Sequence, residues 1–408
     1  MSDILLLAPH ASYRIVPFLN TCHQLGVSTL LATADGGLSL PQNRDGILLD
    51  LTNKAGVVAA VRELHDNNKL RAIIGTDDST MEVAARCARE LGLPGNSPHS
   101  VQLTHDKLLA REALADSGLN IPEFFRIDLN KPLELAKLPA FPVVLKPRAL
   151  SASRGVIRCN NRSDLEAAII RVKRILSAEY KIPDFVCLVE KFIAGVEVAI
   201  EGLLTNGKLQ VIAIFDKPDA MDGPYFEETY YVTPSRHKET TLIQIEEAAR
   251  QVCYQYGLTN GPIHGEFRVN DDGIWPLELA ARTIGGKCGR LLEFASGVSL
   301  EKIVIQHAIG REPKIQSIKG GAGVLMIPVP GNGVVRRVEG ISAARQVNGI
   351  KQVEVDTSTG EVLKAWPEGG SYPGFIFSQA ESPELAEQAL REANEKIKII
   401  LAPIFATR

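Results

Sequence analysis

Apolar runs and amphipathic stretches alternate along roughly the first quarter of the chain. "ILLLAP" is a continuous apolar run, the pattern of a buried strand. A helical period over 16–25 stops at Gly26, and "VSTLLAT" and "GILLDL" read as second and third strands. "VVAAVRELHDNN" predicts a helix, "LRAIIGT" a fourth strand, and "STMEVAARCARELG" a helix with a Ser/Thr start and a Gly stop. Alternation of this kind predicts a parallel sheet covered by helices. No G-x-G-x-x-G follows the first strand, so a dinucleotide site is not supported.

The pattern then changes. "THDKLLAREALADSG" predicts a helix with Thr104 as N-cap and Gly118 as its stop. "FPVVLKP", "VIRCN" and "FVCLVEKFI" read as strands, with the small-residue loop "RALSASRG" and the helix "SDLEAAIIRVKRILSAEY" between them. Two hairpins follow. One turns at Asn206-Gly207 and the other at Asp272-Gly273, both strong short-range hairpin signals. The amphipathic helix "TLIQIEEAARQVCYQYG" separates them. Beyond about residue 312 the strands look antiparallel, and a last helix is expected over 383–399.

Bulk properties narrow the function classes. The chain has 408 residues, 45% hydrophobic and 23% charged, the profile of a soluble globular protein of two to three domains. A formal net charge of -3 argues against nucleic-acid or membrane-surface partners. The six cysteines are scattered with no C-x-x-C pair, which suits buried thiols in a reducing cytoplasm. "ILLLA" is too short to span a membrane and lacks a basic flank, so neither a span nor a signal peptide is expected there.

The candidate chemistry sits in the second hairpin, "GPIHGEFRVNDDGIWPLELAAR". Glu266 and Glu278 lie on opposing strands, where cross-strand neighbours come within about 5 Å. Two such carboxylates repel unless a cation lies between them, and oxygen ligands are what Mg²⁺ prefers. Arg282 can reach the same place to stabilise a phosphoryl oxygen, and Gly285-Gly286 offers backbone N–H groups to an anion. The alternative is a solvated hairpin. Lys146 ends an apolar strand and is either a snorkelling residue or a phosphate ligand. The loop holding Ser153 and Gly155 is either a polar turn or a phosphate cover. Backbone at the end of Glu190, Lys191, Phe192 and Ile193 can pair with an adenine edge, and Glu197 can hold ribose hydroxyls; each of these is also readable as fold.

The order of "THDK", "VVLKP", "SASRGV", "LVEKFIAGVEVAIEG", "IHGEFRV" and "PLELAARTIGG" resembles the ATP-grasp superfamily along nearly the whole chain. The resemblance implies an α/β and α+β architecture in four parts. These are a pre-ATP-grasp parallel-sheet domain (1–97), a small lid subdomain with its linking helix (98–192), a large subdomain with the metal site (193–312) and a C-terminal antiparallel subdomain (313–408). It implies that Lys107 and Lys146 contact ATP phosphates and that Ser153 and Gly155 belong to the lid loop. It places Glu190, Lys191, Phe192 and Ile193 around adenine and Glu197 on the ribose. Glu266 and Glu278 then carry Mg²⁺, usually two ions, with Mn²⁺ able to substitute. Arg282, Gly285 and Gly286 face the transferred phosphoryl group and the acyl substrate. Enzymes of this kind activate a carboxylate as an acyl phosphate, release ADP, and let an amine displace phosphate.

"FDKPDAMDGPYFEETYYVTPS", with Lys217, Glu228 and Pro234, is similar to the L-amino-acid ligases that make dipeptides. This likeness adds Lys217 to the cofactor-binding set and makes Glu228 the group expected to contact a substrate ammonium, a solvated loop carboxylate being the alternative. Tyr231 stands where many such ligases have His, and Ala280 where biotin carboxylases normally have Asn. His264 shares a strand face with Glu266, as a site residue or a structural histidine. The expected partners are a small carboxylic acid and an amine, with a homodimer compatible. Biotin-carboxylase-like or formate-using purine chemistry, and a non-catalytic ATP-binding role, are the competing readings.

Overall fold

The computed structural model describes residues 3–10, 12–34 and 46–404. Its first layer is the expected parallel sheet, built from β1 (Ile4–Ala8), β2 (Thr29–Thr33), β3 (Gly46–Leu48) and β4 (Ala72–Gly75) in the order β3-β2-β1-β4. α1 (Ile15–Gln24), α2 (Lys54–Asn68) and α3 (Asp78–Glu90) cover it. β1 is buried along its whole length because helices lie on both faces. α3 begins two residues earlier than its Ser/Thr signal suggests: Asp77 is the N-cap, and its N–H donates to Thr80 Oγ1 at 3.2 Å.

The next stretch is two helices rather than one. α4 (Pro98–His105) and α5 (Lys107–Leu114) meet at Asp106, which leaves helical geometry and accepts from Leu108 and Leu109 N–H. Asp106, not Thr104, is therefore the cap, and the helix stops at Leu114, before Gly118. Val101, Leu103 and Leu114 share one core with Val198, Ile245 and Val252.

A four-stranded antiparallel sheet follows, from β5 (Phe124–Asp128), β6 (Val143–Pro147), β7 (Ile157–Cys159) and β8 (Val186–Lys191) in the order β5-β8-β6-β7. α6 (Arg162–Glu179) buries Leu165, Val172 and Leu176 against it. The central body is an eight-stranded antiparallel sheet. It contains β9 (Val196–Thr205), β10 (Lys208–Lys217), β11 (Tyr230–Thr233), β12 (Gly261–Asn270), β13 (Gly273–Ala280) and β14 (Gly321–Met326). α7 (Glu239–Gln255) packs on one face, and α8 (Arg290–Ser296) and α9 (Leu300–Ala308) follow β13.

The C-terminal part divides between two sheets. β16 (Ile350–Val355) and β18 (Gly374–Ala380) extend the central sheet beyond β14. β15 (Gly333–Glu339) and β17 (Val362–Leu363) join β19 (Lys398–Ala402) in a separate three-stranded sheet. α10 (Ile341–Arg345) and α11 (Pro383–Lys396) complete the chain order. The last helix thus ends before Ile399, which becomes a strand residue because "KIILA" is apolar enough to pair with β15.

The first hairpin is as expected: Asn206 and Gly207 both have positive φ, as a two-residue primed turn requires. The second is offset by one residue. Asn270 pairs with Gly273, so Asp271-Asp272 form the loop, and a bulge follows between Glu266 and Phe267.

Candidate active site

A cleft lies between the small four-stranded sheet and the central sheet. The offset hairpin and its bulge set Glu266 directly opposite Glu278 at the cleft floor. Lys107, the first residue of α5, reaches Glu278 Oε2 at 3.2 Å and donates to Leu150 O at 2.8 Å. Glu266 is held by Lys217, whose Nζ lies 2.7 Å from Glu197, 2.5 Å from Glu228 and 3.1 Å from Glu266. Burial disfavours the Glu266 anion, but Lys217 and His264 outweigh it and keep its carboxyl well below the usual range. Glu228 goes the other way: burial, opposed by Lys217 and reinforced by the Glu266 charge, raises it to about 7.

Lys146 sits near the end of β6 with Nζ 2.5 Å from Glu190 Oε2, and Arg111 from α5 bonds the other oxygen. Burial works against the Glu190 anion, and Arg111 and Lys146 overcome it, pulling the carboxyl down to about 2. The Glu190 side chain therefore orders a lysine facing the cleft. The backbone groups expected to meet an adenine edge are engaged: Phe192 N–H donates to Pro142 O at 3.0 Å, and Ile193 O accepts from Arg268 at 3.0 Å. Lys191 is exposed, and its N–H donates to Glu123 O. What the cleft offers there is an apolar slot of Val144, Val156, Met221 and Phe226, with Phe192 packed against it. Glu197 is buried against Lys217 and, at 3.5 Å, Arg268.

Ser153 lines the same cleft from the small-residue loop, with φ of 54°. Gly155 has φ of 70° and a Cβ there would meet Pro147 at 2.8 Å, so glycine is required on both counts. The C-terminal region holds this loop: Trp366 Nε1 donates to Ala152 O at 2.8 Å, and Gly155 N–H to Pro367 O at 2.9 Å. Nothing local in the sequence links these two segments.

Arg282 stands elsewhere than its motif suggests. Its Nε and Nη2 pair with both Asp78 oxygens at 2.6 and 2.8 Å, and it borders a neighbouring cavity between α3 and the β9–β10 hairpin rather than the cleft that holds Glu266 and Glu278. Arg14 grips the next residues through Thr283 Oγ1, Thr283 O and Ile284 O. Gly286 has φ of 60° and packs against Met326, and Gly285 lies beside Tyr13 and Arg14. His264 Nδ1 is 2.6 Å from buried Glu201. Burial disfavours the imidazolium, but hydrogen bonding to Glu201 and Glu266 prevails and raises His264 to about 9.

Among the described residues, Glu197, Glu228 and Glu266 bring carboxylate oxygens within 4.8 Å of one another. Lys217 already occupies the middle of that triad, with its ammonium bonded to all three carboxylates, whereas the hairpin register pairs Glu266 with Glu278. Arg111, Arg268, Glu201 and Asp78 also support the site, although no motif marks them. Arg268 carried a signal, lying two residues after Glu266 on the same strand face. Arg111, four residues after Lys107 on α5, and Glu201, four after Glu197 on the same face of β9, carried a similar signal; Asp78 comes from a distant segment.

Residues 139–290 match the ATP-grasp domain family, 19–95 the ATP-grasp N-terminal domain, and 325–402 the L-amino acid ligase C-terminal domain 2. The chain is 26% identical to dapdiamide A synthase of Enterobacter agglomerans over 62% of its own length and 61% of the relative's. It is 25% identical to alanine–anticapsin ligase of Bacillus amyloliquefaciens over 61% of this chain and 56% of that one. It thus spans about three fifths of these relatives. The crystal structure of an L-amino acid ligase from Bacillus licheniformis superposes with a TM-score of 0.81 and 25% identity, covering 99% of this chain and 100% of that chain.

Proposed function

Since the chain carries the ATP-grasp fold with an amino-acid-ligase C-terminal domain, we propose that it joins a carboxylic acid, most simply an amino acid, to an amine in the cytoplasm at the expense of ATP. The observation that carries this reading is the direct opposition of Glu266 and Glu278 beneath Lys107 and Lys146. The apolar slot beside Phe192 takes the base of ATP, with Glu197 near the ribose. Lys107 and Lys146 then face the phosphates, exchanging carboxylate partners for phosphate oxygens. Facing carboxylates fit a divalent ion, Mg²⁺ or Mn²⁺, and such an ion would neutralise phosphate charge as it transfers. Lys217 limits the number of anions left unpaired around Glu266 before the nucleotide arrives.

In the first step a carboxylate oxygen of the acid bonds to the γ-phosphorus as the bond to the ADP oxygen breaks. In the second the amine nitrogen bonds to the acyl carbon, phosphate leaves with the carbon–oxygen bond pair, and the amine proton passes to solvent or phosphate. Glu228, beside Lys217, receives the ammonium of an amino-acid substrate. Arg282, held by Asp78 beside the neighbouring cavity, presents its remaining N–H groups to an anionic group of a substrate that reaches across from the cleft.

Hydroxylamine tests the reading by standing in for the amine. With ATP, a divalent ion and a panel of amino acids and simple carboxylic acids, a hydroxamate should form with one ADP and one phosphate and no AMP. ADP release stimulated by bicarbonate, with no hydroxamate from any acid, would instead indicate carboxylase chemistry.

A further inference from the structure

Glu201 is fully buried on β9 and stands directly across from His264 on β12. Its Oε1 contacts His264 Nδ1 at 2.6 Å, while its Oε2 is buried with no hydrogen-bond partner. A carboxylate so far from water is destabilising unless it is paired, and the imidazole is the partner the structure supplies. The other imidazole nitrogen, Nε2, lies 3.5 Å from Glu266 Oε1. Lys217 Nζ approaches that same oxygen at 3.1 Å. Two nitrogens from two different strands thus converge on one oxygen of Glu266 and leave Oε2 as the oxygen neither of them takes.

We infer that Glu201 is a positioning residue: through the ring of His264 it fixes the carboxylate of Glu266 so that Oε2 is presented to the divalent ion. The register explains why it acts through a chain of contacts. Glu201 and His264 are direct cross-strand partners, so their side chains share a face with each other. His264 and Glu266 are two apart on one strand and share that face as well. A line of three side chains therefore runs from the dry interior to the cleft, with Glu201 as its anchor. Metal sites use outer partners in this way to orient ligand groups, and their loss typically weakens metal affinity by about 10- to 100-fold.

The inference rests on Glu266 being a metal ligand, and Mn²⁺ separates the two. Free Mn²⁺ is counted by its electron paramagnetic resonance signal in the presence of ADP, and ADP affinity is measured separately without metal. Glu266→Gln should weaken Mn²⁺ at least tenfold; wild-type affinity in that variant would remove the metal reading itself. Glu201→Leu should weaken Mn²⁺ by about tenfold with ADP affinity unchanged. Glu201→Gln keeps a carbonyl acceptor for Nδ1–H and should recover most of the loss. The inference is overturned if folded Glu201→Leu binds Mn²⁺ like wild type while Glu266→Gln does not. It is also overturned if Glu201→Gln is as weak as Glu201→Leu, which would make charge rather than orientation the cause. Should Glu201→Leu fail to fold, His264→Asn decides: the same loss supports the inference and wild-type affinity ends it.

Discussion

Glu266 and Glu278 are direct cross-strand partners only because the hairpin joining them carries a bulge. A loop at Asp272-Gly273 would pair Asp271 with Ile274 and so set Glu266 against Leu279. The observed loop at Asp271-Asp272 would, without a bulge, set Glu266 against Leu277. The extra residue on β13 moves the register to Glu278 and turns both carboxylates to one face.

If these two carboxylates serve phosphoryl transfer, Glu278→Gln should keep the fold and bind nucleotide but lose nearly all turnover. A fall of at least 100-fold in hydroxamate formation is expected, about 3 kcal/mol of barrier. Retention of more than about a tenth of the wild-type rate, under 2 kcal/mol, would rule out the paired-glutamate metal site.

Glu190 is predicted to matter for stability in a pH-dependent way. Its folded carboxyl titrates near 2 rather than 4.5, because Arg111 and Lys146 overcome its burial. A lowered value means that the stabilisation is complete above pH 4.5 and is lost as pH falls toward 2. Glu190→Gln should therefore lower unfolding free energy at pH 7 by about 3 kcal/mol, with the gap to wild type closing in acid. Parallel urea titrations across this pH range measure it, and a constant gap would contradict the assignment.

The loop holding Ser153 and Gly155 is tied to the C-terminal region by Trp366 and Pro367. Trp366→Phe removes the donor to Ala152 O while retaining an aromatic ring. Trypsin cleavage after Arg154 should become several-fold faster without nucleotide, and ATP with Mg²⁺ should restore protection if the loop closes as a lid. Equal cleavage rates in wild type and variant, or no effect of ATP, would separate the loop from the site.

Glu228→Gln tests substrate recognition. It should raise the KM for an amino-acid substrate at least tenfold, the order expected for losing a buried charge pair, while leaving the KM for ATP within about twofold. A change confined to ATP would make Glu228 part of the nucleotide or metal site instead, consistent with its place beside Glu197 and Glu266.

Features that depend only on neighbours along the chain were legible before folding. Alternation of apolar runs and amphipathic helices fixed the parallel N-terminal sheet, and Asn206-Gly207 fixed its hairpin, because positive φ at two successive residues is a local demand. The spacing of Lys107, Lys146, Glu266 and Glu278 brought the cleft's charges into view because strand periodicity and motif order survive as linear pattern. Other features arose when the chain packed. The split of one helix at Asp106, whose side chain outcompetes Thr104 as a cap, also leaves Asp106 paired with Arg148 from beyond β6. The last apolar residues became a strand because β15 had an open edge to pair with. Arg282 met Asp78, Lys146 met a glutamate clamped by Arg111, and His264 met Glu201. Each of these pairs joins segments far apart in the chain, and a buried charge takes whichever opposite charge the packing brings within reach, a choice that no local pattern encodes.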